Sequence, residues 1–185
     1  AKRISLRVSG LDGRVTLTLP LGLAEQEGLD FAAQKREWLR QQVGQKNDIE
    51  IIVPGTSLPI EGLLRLVQPA TGRKIILTKD QIQVPGAVEL FGFKLRGYLR
   101  ALARDRLAAA SDGYAAQLGH DYHRLSLRDT RSRWGSCSSQ GALMYSWRLI
   151  MAPSDVLAYV AAHEVAHLAE MNHAPAFWAI VANLY

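Results

Sequence analysis

The stretch from Tyr159 to Trp178, YVAAHEVAHLAEMNHAPAFW, constrains the chain more than any other. Its first half is apolar and rich in alanine, which favours a helix. On a helix His163 and His167 lie one turn apart on the same face, so both imidazoles converge on one ion. Glu164 stands between them. A helix carrying H-E-x-x-H holds zinc between its two histidines, with the glutamate as general base toward a water that the ion activates. The chain therefore has to bury most of this helix and leave one face open to a pocket.

Hydrolytic zinc needs three protein ligands and one open position. His173 is the expected third ligand, because Asn172 and Pro175 predict a break in the helix that folds the chain back toward the ion. Glu170 competes for the place, lying at i+3 from His167. If His173 ligates, Glu170 becomes a carboxylate that orients a ligand histidine. Imidazole donors suit zinc, with nickel or another divalent transition metal as alternatives. Metzincins place a glycine where this chain has Glu170, and no Met-turn is evident, which separates it from that group.

The rest of the composition is that of an ordinary soluble globular chain: 185 residues, 48% hydrophobic and 21% charged. No apolar run reaches the length a membrane-spanning helix needs. The opening AKRISLRVS has no apolar signal core, which gives the cytoplasm as the expected location. Cys137 is the single cysteine, so no internal disulfide forms and no thiolate zinc site can be built. Its expected role is a small buried residue rather than a nucleophile. The net charge of +5 permits an acidic partner, but no run of like charges marks a nucleic-acid tail.

Taken in order, Ile4 to Pro20 alternates on both sides of Asp12-Gly13 and predicts a β-hairpin. Ala24 to Val43 predicts one amphipathic helix with Phe31, Trp38 and Leu39 inward, ended by Gly44. Ile49 to Val84 is broken by prolines and glycines and predicts short antiparallel strands. Val88 to Leu118 turns helical, with Leu95, Leu99, Leu102 and Leu107 toward the core and Gly92, Gly97 and Gly113 as candidate breaks. Arg96, Arg100 and Arg104 form a stripe expected to face solvent. Three extended pieces follow, at 124–129, 133–136 and 142–147, the last two joined by a turn at 138–141. Pro153 is expected at the first helical position of the histidine helix, which should run to about Asn172. A last helix from Pro175 should turn Phe177, Trp178 and Ile180 inward. Trp134 and Trp147 are expected as core or pocket wall.

The runs RSRWGSCSS, SWRLIMAP and HEVAHLAEMNHAPAFW together resemble the YgjP-like metallopeptidase family of metal-dependent hydrolases, related to the SprT and WLM zincins. The early hairpin and PLGLAE segment are similar to that family's N-terminal region. The resemblance implies an α+β fold. Residues 87–185 would form a zincin-like catalytic part, helices with a small antiparallel sheet, and residues 1–86 a β-rich N-terminal part. It also implies His163, His167 and His173 as metal ligands and Glu164 as catalytic base. Ser146 and Ala174 depart from the asparagine and serine common in the family.

Three functions compete. A zinc peptidase would polarise a peptide carbonyl and use Glu164 as base. A nucleoside triphosphate pyrophosphohydrolase would keep the metal and cradle phosphates with Arg131, Arg133 and Arg148. A basic nucleic-acid-binding module with a structural zinc comes last, because structural sites are closed and cysteine-rich. The expected partner is thus a peptide, protein or nucleotide substrate. The sequence leaves the oligomeric state open.

Overall fold

The structure is a computed structural model that describes residues 3–8, 14–44, 51–130 and 132–185. The fold is α+β, with compact units at Ala1–Glu50 and Ile51–Tyr185. The boundary expected between residues 86 and 87 thus falls inside the second unit, because the strands before it share one buried core with the helices after it.

In the first unit, β1 (Ser5–Val8) pairs antiparallel with β2 (Val15–Thr18), in register Ser5 to Thr18 and Val8 to Val15. The Asp12-Gly13 turn lies outside the described residues. The single expected helix is two, α1 (Glu25–Gln34) and α2 (Arg36–Gly44), parted at Lys35, whose backbone (φ −93°, ψ 15°) leaves the α region. Gly28 is needed for space: a Cβ there would come within 2.5 Å of Leu19 and 3.1 Å of Leu17. Phe31 and Leu39 are half-buried, whereas Trp38 is exposed.

The second unit opens with a four-stranded sheet of order β3-β4-β6-β5, comprising β3 (Ser57–Ile60), β4 (Leu63–Ala70), β5 (Ile76–Leu77) and β6 (Gln81–Pro85). The expectation of purely antiparallel pairing is corrected here: β4 and β6 are parallel. Two reversals, into β5 and out of it, return the chain to its starting direction, and β6 inserts between β4 and β5. The β3–β4 turn is Glu61-Gly62, with φ 51° and 76°, the positive pair that a two-residue type I′ hairpin requires. Glu61 holds that costly conformation with its N–H on the Ile150 carbonyl (2.7 Å) and its carboxylate on Arg106 (2.6 Å). Gly62 abuts Pro153, so the hairpin rests against the entry to the histidine helix. Against the hydrophobic pattern, Arg65 is buried in β4, donating to the carbonyls of Thr78 and Ile60 and lying near Glu61.

A 3-10 turn leads into α3 (Phe91–Leu118), which the three glycines do not interrupt. Its buried residues recur every four positions: Phe91, Leu95, Leu99, Ala103, Leu107, Ser111 and Ala115. Four residues overshoot a turn by about 40°, so the buried line winds around the helix. One helix thereby meets β6 near its start, where Lys94 reaches the Pro85 carbonyl, and the C-terminal helix near its end, where Gln117 reaches the Asn183 carbonyl. Leu102 is half-buried beside the core, and Arg96, Arg100 and Arg104 are exposed.

Next come β7 (Arg124–Arg128), β8 (Gly135–Cys137) and β9 (Ala142–Ser146) in the order β7-β9-β8, with β7 parallel and β8 antiparallel to β9. The expected turn closes with Gly141 N–H on the Ser138 carbonyl at 2.9 Å. Helices α4 (Ser154–Ala166) and α5 (Pro175–Leu184) complete the unit. Pro153 is the N-cap of α4 rather than its first helical residue, and α4 ends at Ala166 rather than near Asn172. Its last carbonyls are taken by tighter turns, Leu168 N–H to Val165 and Ala169 N–H to Ala166. Phe177 is fully buried and Ile180 half-buried, but Trp178 is 46% exposed. No helix among the described residues is long and apolar enough to cross a membrane.

Candidate metal centre

Helix α4 presents His163 one turn before its end, and His167 occupies the C-cap, still in the helical region at φ −65° and ψ −13°. The early stop lets the chain fold back at 168–174. Two local bonds hold that return: Asn172 Oδ1 accepts the Ala174 N–H at 3.0 Å, and Trp178 Nε1 donates to the His173 carbonyl at 3.1 Å. One candidate donor atom from each of His163, His167 and His173 therefore lies within 4.8 Å of the others. The Nε2 atoms of His163 and His173 are 3.1 Å apart. Two ligand nitrogens on one tetrahedral zinc sit about 3.3 Å apart, given bonds of about 2.0–2.1 Å.

The chemistry of the donors fits a divalent transition metal. A carbonyl only accepts, so the Glu170 carbonyl 3.0 Å from His167 Nδ1 fixes the proton there and leaves Nε2 with a free lone pair. Burial, then the neighbouring His167 and His173, hold the His163 pKa below its usual value, which favours the neutral form that a metal ligand must take. Phe177 floors the cluster, its ring centroid 4.9 Å from His163, 4.4 Å from His167 and 4.7 Å from His173. Trp178 stacks on His173 at 5.7 Å. Both aromatics were read from sequence as core residues alone. The Pro175 helix start one turn behind the histidine loop was the signal that they face the ligands.

Glu170 takes a different part. Its carboxylate accepts from Asn172 Nδ2 at 2.7 Å, so its main-chain carbonyl, rather than its side chain, orients His167.

Glu164 is buried on α4 against β8. Burial pushes its carboxyl up to about 7, while Arg133 and the main-chain N–H of Cys137 pull the other way. Gly135 makes room for it: a Cβ at that position would lie 2.6 Å from Glu164 Cγ and Oε1. Gly135 is a site residue that sequence reasoning missed, since only the packing of β8 on α4 brings the two together. β8 is an edge strand. Trp134 and Ser138 direct main-chain groups to β9, with Ser146 N–H on the Trp134 carbonyl and Ser138 N–H on the Ala142 carbonyl. The antiparallel alternation then turns those of Gly135 and Cys137 to the open side.

The arginines are dispersed. Arg148 forms a two-pronged pair with Asp129, Nε to Oδ1 at 2.7 Å and Nη2 to Oδ2 at 3.1 Å, and its guanidinium covers Trp147 at 4.8 Å. Arg133 is exposed and acts on Glu164 through its charge. Arg131 lies outside the described residues. Trp147 is core, whereas the Trp134 ring is 57% exposed and takes no part in the core. Cys137 is half-buried, and burial, then the charge of Glu164, push its thiol up to about 11, away from the thiolate a nucleophile needs.

An α+β chain with three convergent imidazoles beside a buried carboxyl is a candidate metal-dependent hydrolase. Residues 2–185 match the YgjP-like metallopeptidase domain, and the chain belongs to that family, which implies a divalent metal, typically zinc. No curated protein matches it. Among solved structures, the chain is similar to the crystal structure of the metallopeptidase zymogen of Pyrococcus abyssi abylysin. That likeness has 21% identity and a TM-score of 0.36 over 44% of this chain and 77% of that one.

Proposed function

We propose that the chain is a zinc-dependent peptidase in which His163, His167 and His173 hold the ion and Glu164 is the general base. The observation that carries this reading is the convergence of three imidazole donors within 4.8 Å on the helix that also carries buried Glu164. When bound, zinc supplies Lewis acidity and an activated water at neutral pH. Glu164, with a carboxyl pushed up to about 7, is matched to take a proton and return it to a leaving amine near neutral pH. The open main-chain groups of Gly135, with the carbonyl of Cys137, suit an extended polypeptide laid along β8, while the Cys137 N–H is taken by Glu164. The nucleotide reading has less behind it, since Arg148 is already occupied by Asp129 and the family is one of metallopeptidases.

The test combines elemental analysis with cleavage of a proteome-derived peptide library read by mass spectrometry. The chain should take up one zinc, and His163→Ala, His167→Ala and His173→Ala should each impair uptake, the last more than Glu170→Ala. Glu164→Gln should keep zinc and lose about two to four orders of magnitude in cleavage. Loss of zinc in Glu164→Gln, or full activity, overturns the assigned role.

A further inference from the structure

One face of the β7-β9-β8 sheet remains without a role in this chemistry. Gly135 turns its α-hydrogen side to Glu164, so strand alternation puts Ser136 on the opposite face. Ser136 pairs with Met144, and Met144 with Ser126, so the three share that face. All three line a cleft of about 720 Å³. Its charged rim is of one sign: Arg124, Arg128, Arg133 and His123 border it, and among the described residues no carboxylate does. The outer face of a sheet is ordinarily polar, but with charges of both signs mixed. Here the guanidinium groups of Arg124 and Arg128, both exposed, have no ion-pair partner among the described residues. Elsewhere in the unit Arg65, Arg106 and Arg148 are all matched to carboxylates. Arg133 and Cys137 border the cleft and also act on, or bond, Glu164, so the edge strand β8 alone separates the cleft from the candidate catalytic carboxyl.

We propose that this cleft binds an acidic polypeptide segment, the anionic flank of the substrate that Glu164 acts on. The assignment of the ligand as substrate rests on the peptidase reading; the binding chemistry does not. Arg124 and Arg128 stand four residues apart on β7, a span of about 13 Å, which carboxylates spaced along an extended chain bridge. Guanidinium groups without internal partners form charge-assisted bonds to such carboxylates. A nucleic acid offers the same charge. It fits less well, because among the described residues no Trp, Tyr or Phe lines the cleft to stack a base, while the adjacent strand edge offers main-chain groups that pair with a polypeptide.

Fluorescence anisotropy on the full chain tests the site without any need for turnover. The probes are three fluorescein-labelled ligands: an extended Glu/Ala decapeptide, its Lys/Ala counterpart, and a single-stranded oligothymidylate. The Glu/Ala peptide should bind best. The double variant Arg124→Ala/Arg128→Ala should weaken it by about tenfold or more, Arg124→Lys/Arg128→Lys should restore most of the loss, and added salt should mimic it. Circular dichroism and zinc uptake identical to the parent show that the double variant is folded. Equal binding of acidic and basic peptides, or an unchanged affinity in the double variant, overturns the proposal. So does tighter binding of the oligonucleotide that the double variant abolishes, which reassigns the cleft to nucleic acid. If the zinc-loaded chain cleaves no library peptide while the arginine-dependent binding holds, the peptidase reading falls and the acidic-peptide site stands.

Discussion

Gly135 offers the sharpest test of how the fold sets the candidate catalytic carboxyl, because its glycine is required for space and not for backbone shape. It is absent from the positive-φ positions, so alanine can adopt its backbone without strain. The added methyl, however, would stand 2.6 Å from Glu164 Cγ and Oε1 and 2.8 Å from Cδ, where an ordinary contact begins near 3.4 Å. The carboxylate then has to retreat by about 0.8 Å, or β8 has to lift from α4. Overpacking of this kind costs about 1–3 kcal/mol. In a Glu164→Ala background the obstructing atoms are gone, and Gly135→Ala should be neutral or stabilise by up to about 1 kcal/mol through the lower entropy of the unfolded chain. The coupling in this cycle should thus be about 2 kcal/mol, far above the few tenths expected of independent sites. Urea unfolding of the four EDTA-treated proteins measures it. Equal costs of Gly135→Ala in both backgrounds would show that the methyl does not meet the carboxyl, and the geometry assigned to Glu164 would be wrong.

Two further outcomes follow. The folded Glu164 carboxyl titrates near 7, raised chiefly by burial from its ordinary 4.5, so it stabilises the metal-free fold fully below about 4.5 and loses that contribution as pH rises through 7. Glu164→Gln removes this dependence, and the stability difference between variant and parent should shift by about 3 kcal/mol between pH 4 and pH 8; parallel urea-derived profiles would refute it. Cys137→Ala should retain most cleavage activity, and the parent thiol should react slowly with iodoacetamide at pH 7.5, because its pKa is pushed up to about 11; total loss of turnover with zinc still bound would restore a nucleophilic role.

What could be read from the residues divides according to sequence distance. His163 and His167 follow from helical period, and the return of His173 follows from Asn172 and Pro175, all within one contiguous stretch. The long α3 was legible too, despite its glycines, because their positions fall on its exposed side and packing of the other side carries the helix. The pairing of β6 beside β4 was not legible. Nothing local distinguishes a strand that turns back beside its predecessor from one that inserts parallel to an earlier neighbour. The burial of Arg65 was not legible either, since only the carbonyls of Ile60 and Thr78 and the carboxylate of Glu61 make an inward arginine tolerable. Arg148 was offered to phosphates only under the nucleotide reading, and its actual partner, Asp129, was not legible because it lies on a separate segment. Trp178 was taken for core on size, where its indole N–H needed a polar partner and found the His173 carbonyl at the surface.

The same division separates two parts of the candidate site. The donor set is local: α4, the return loop and the start of α5 bring the three imidazoles together, and Phe177 beneath them comes from the same stretch. The state of Glu164 is not local. Its burial against β8, the room left by Gly135, the Cys137 N–H and the charge of Arg133 all arrive from a sheet edge distant in sequence. The imidazole cluster and the state of the Glu164 carboxyl are therefore set by different pieces of chain. Changes along β8 can alter the carboxyl without touching a ligand, and changes in the return loop can loosen the ion while leaving the carboxyl in its pocket. On the proposed mechanism, the working pH would be set through an edge strand that also borders the basic cleft.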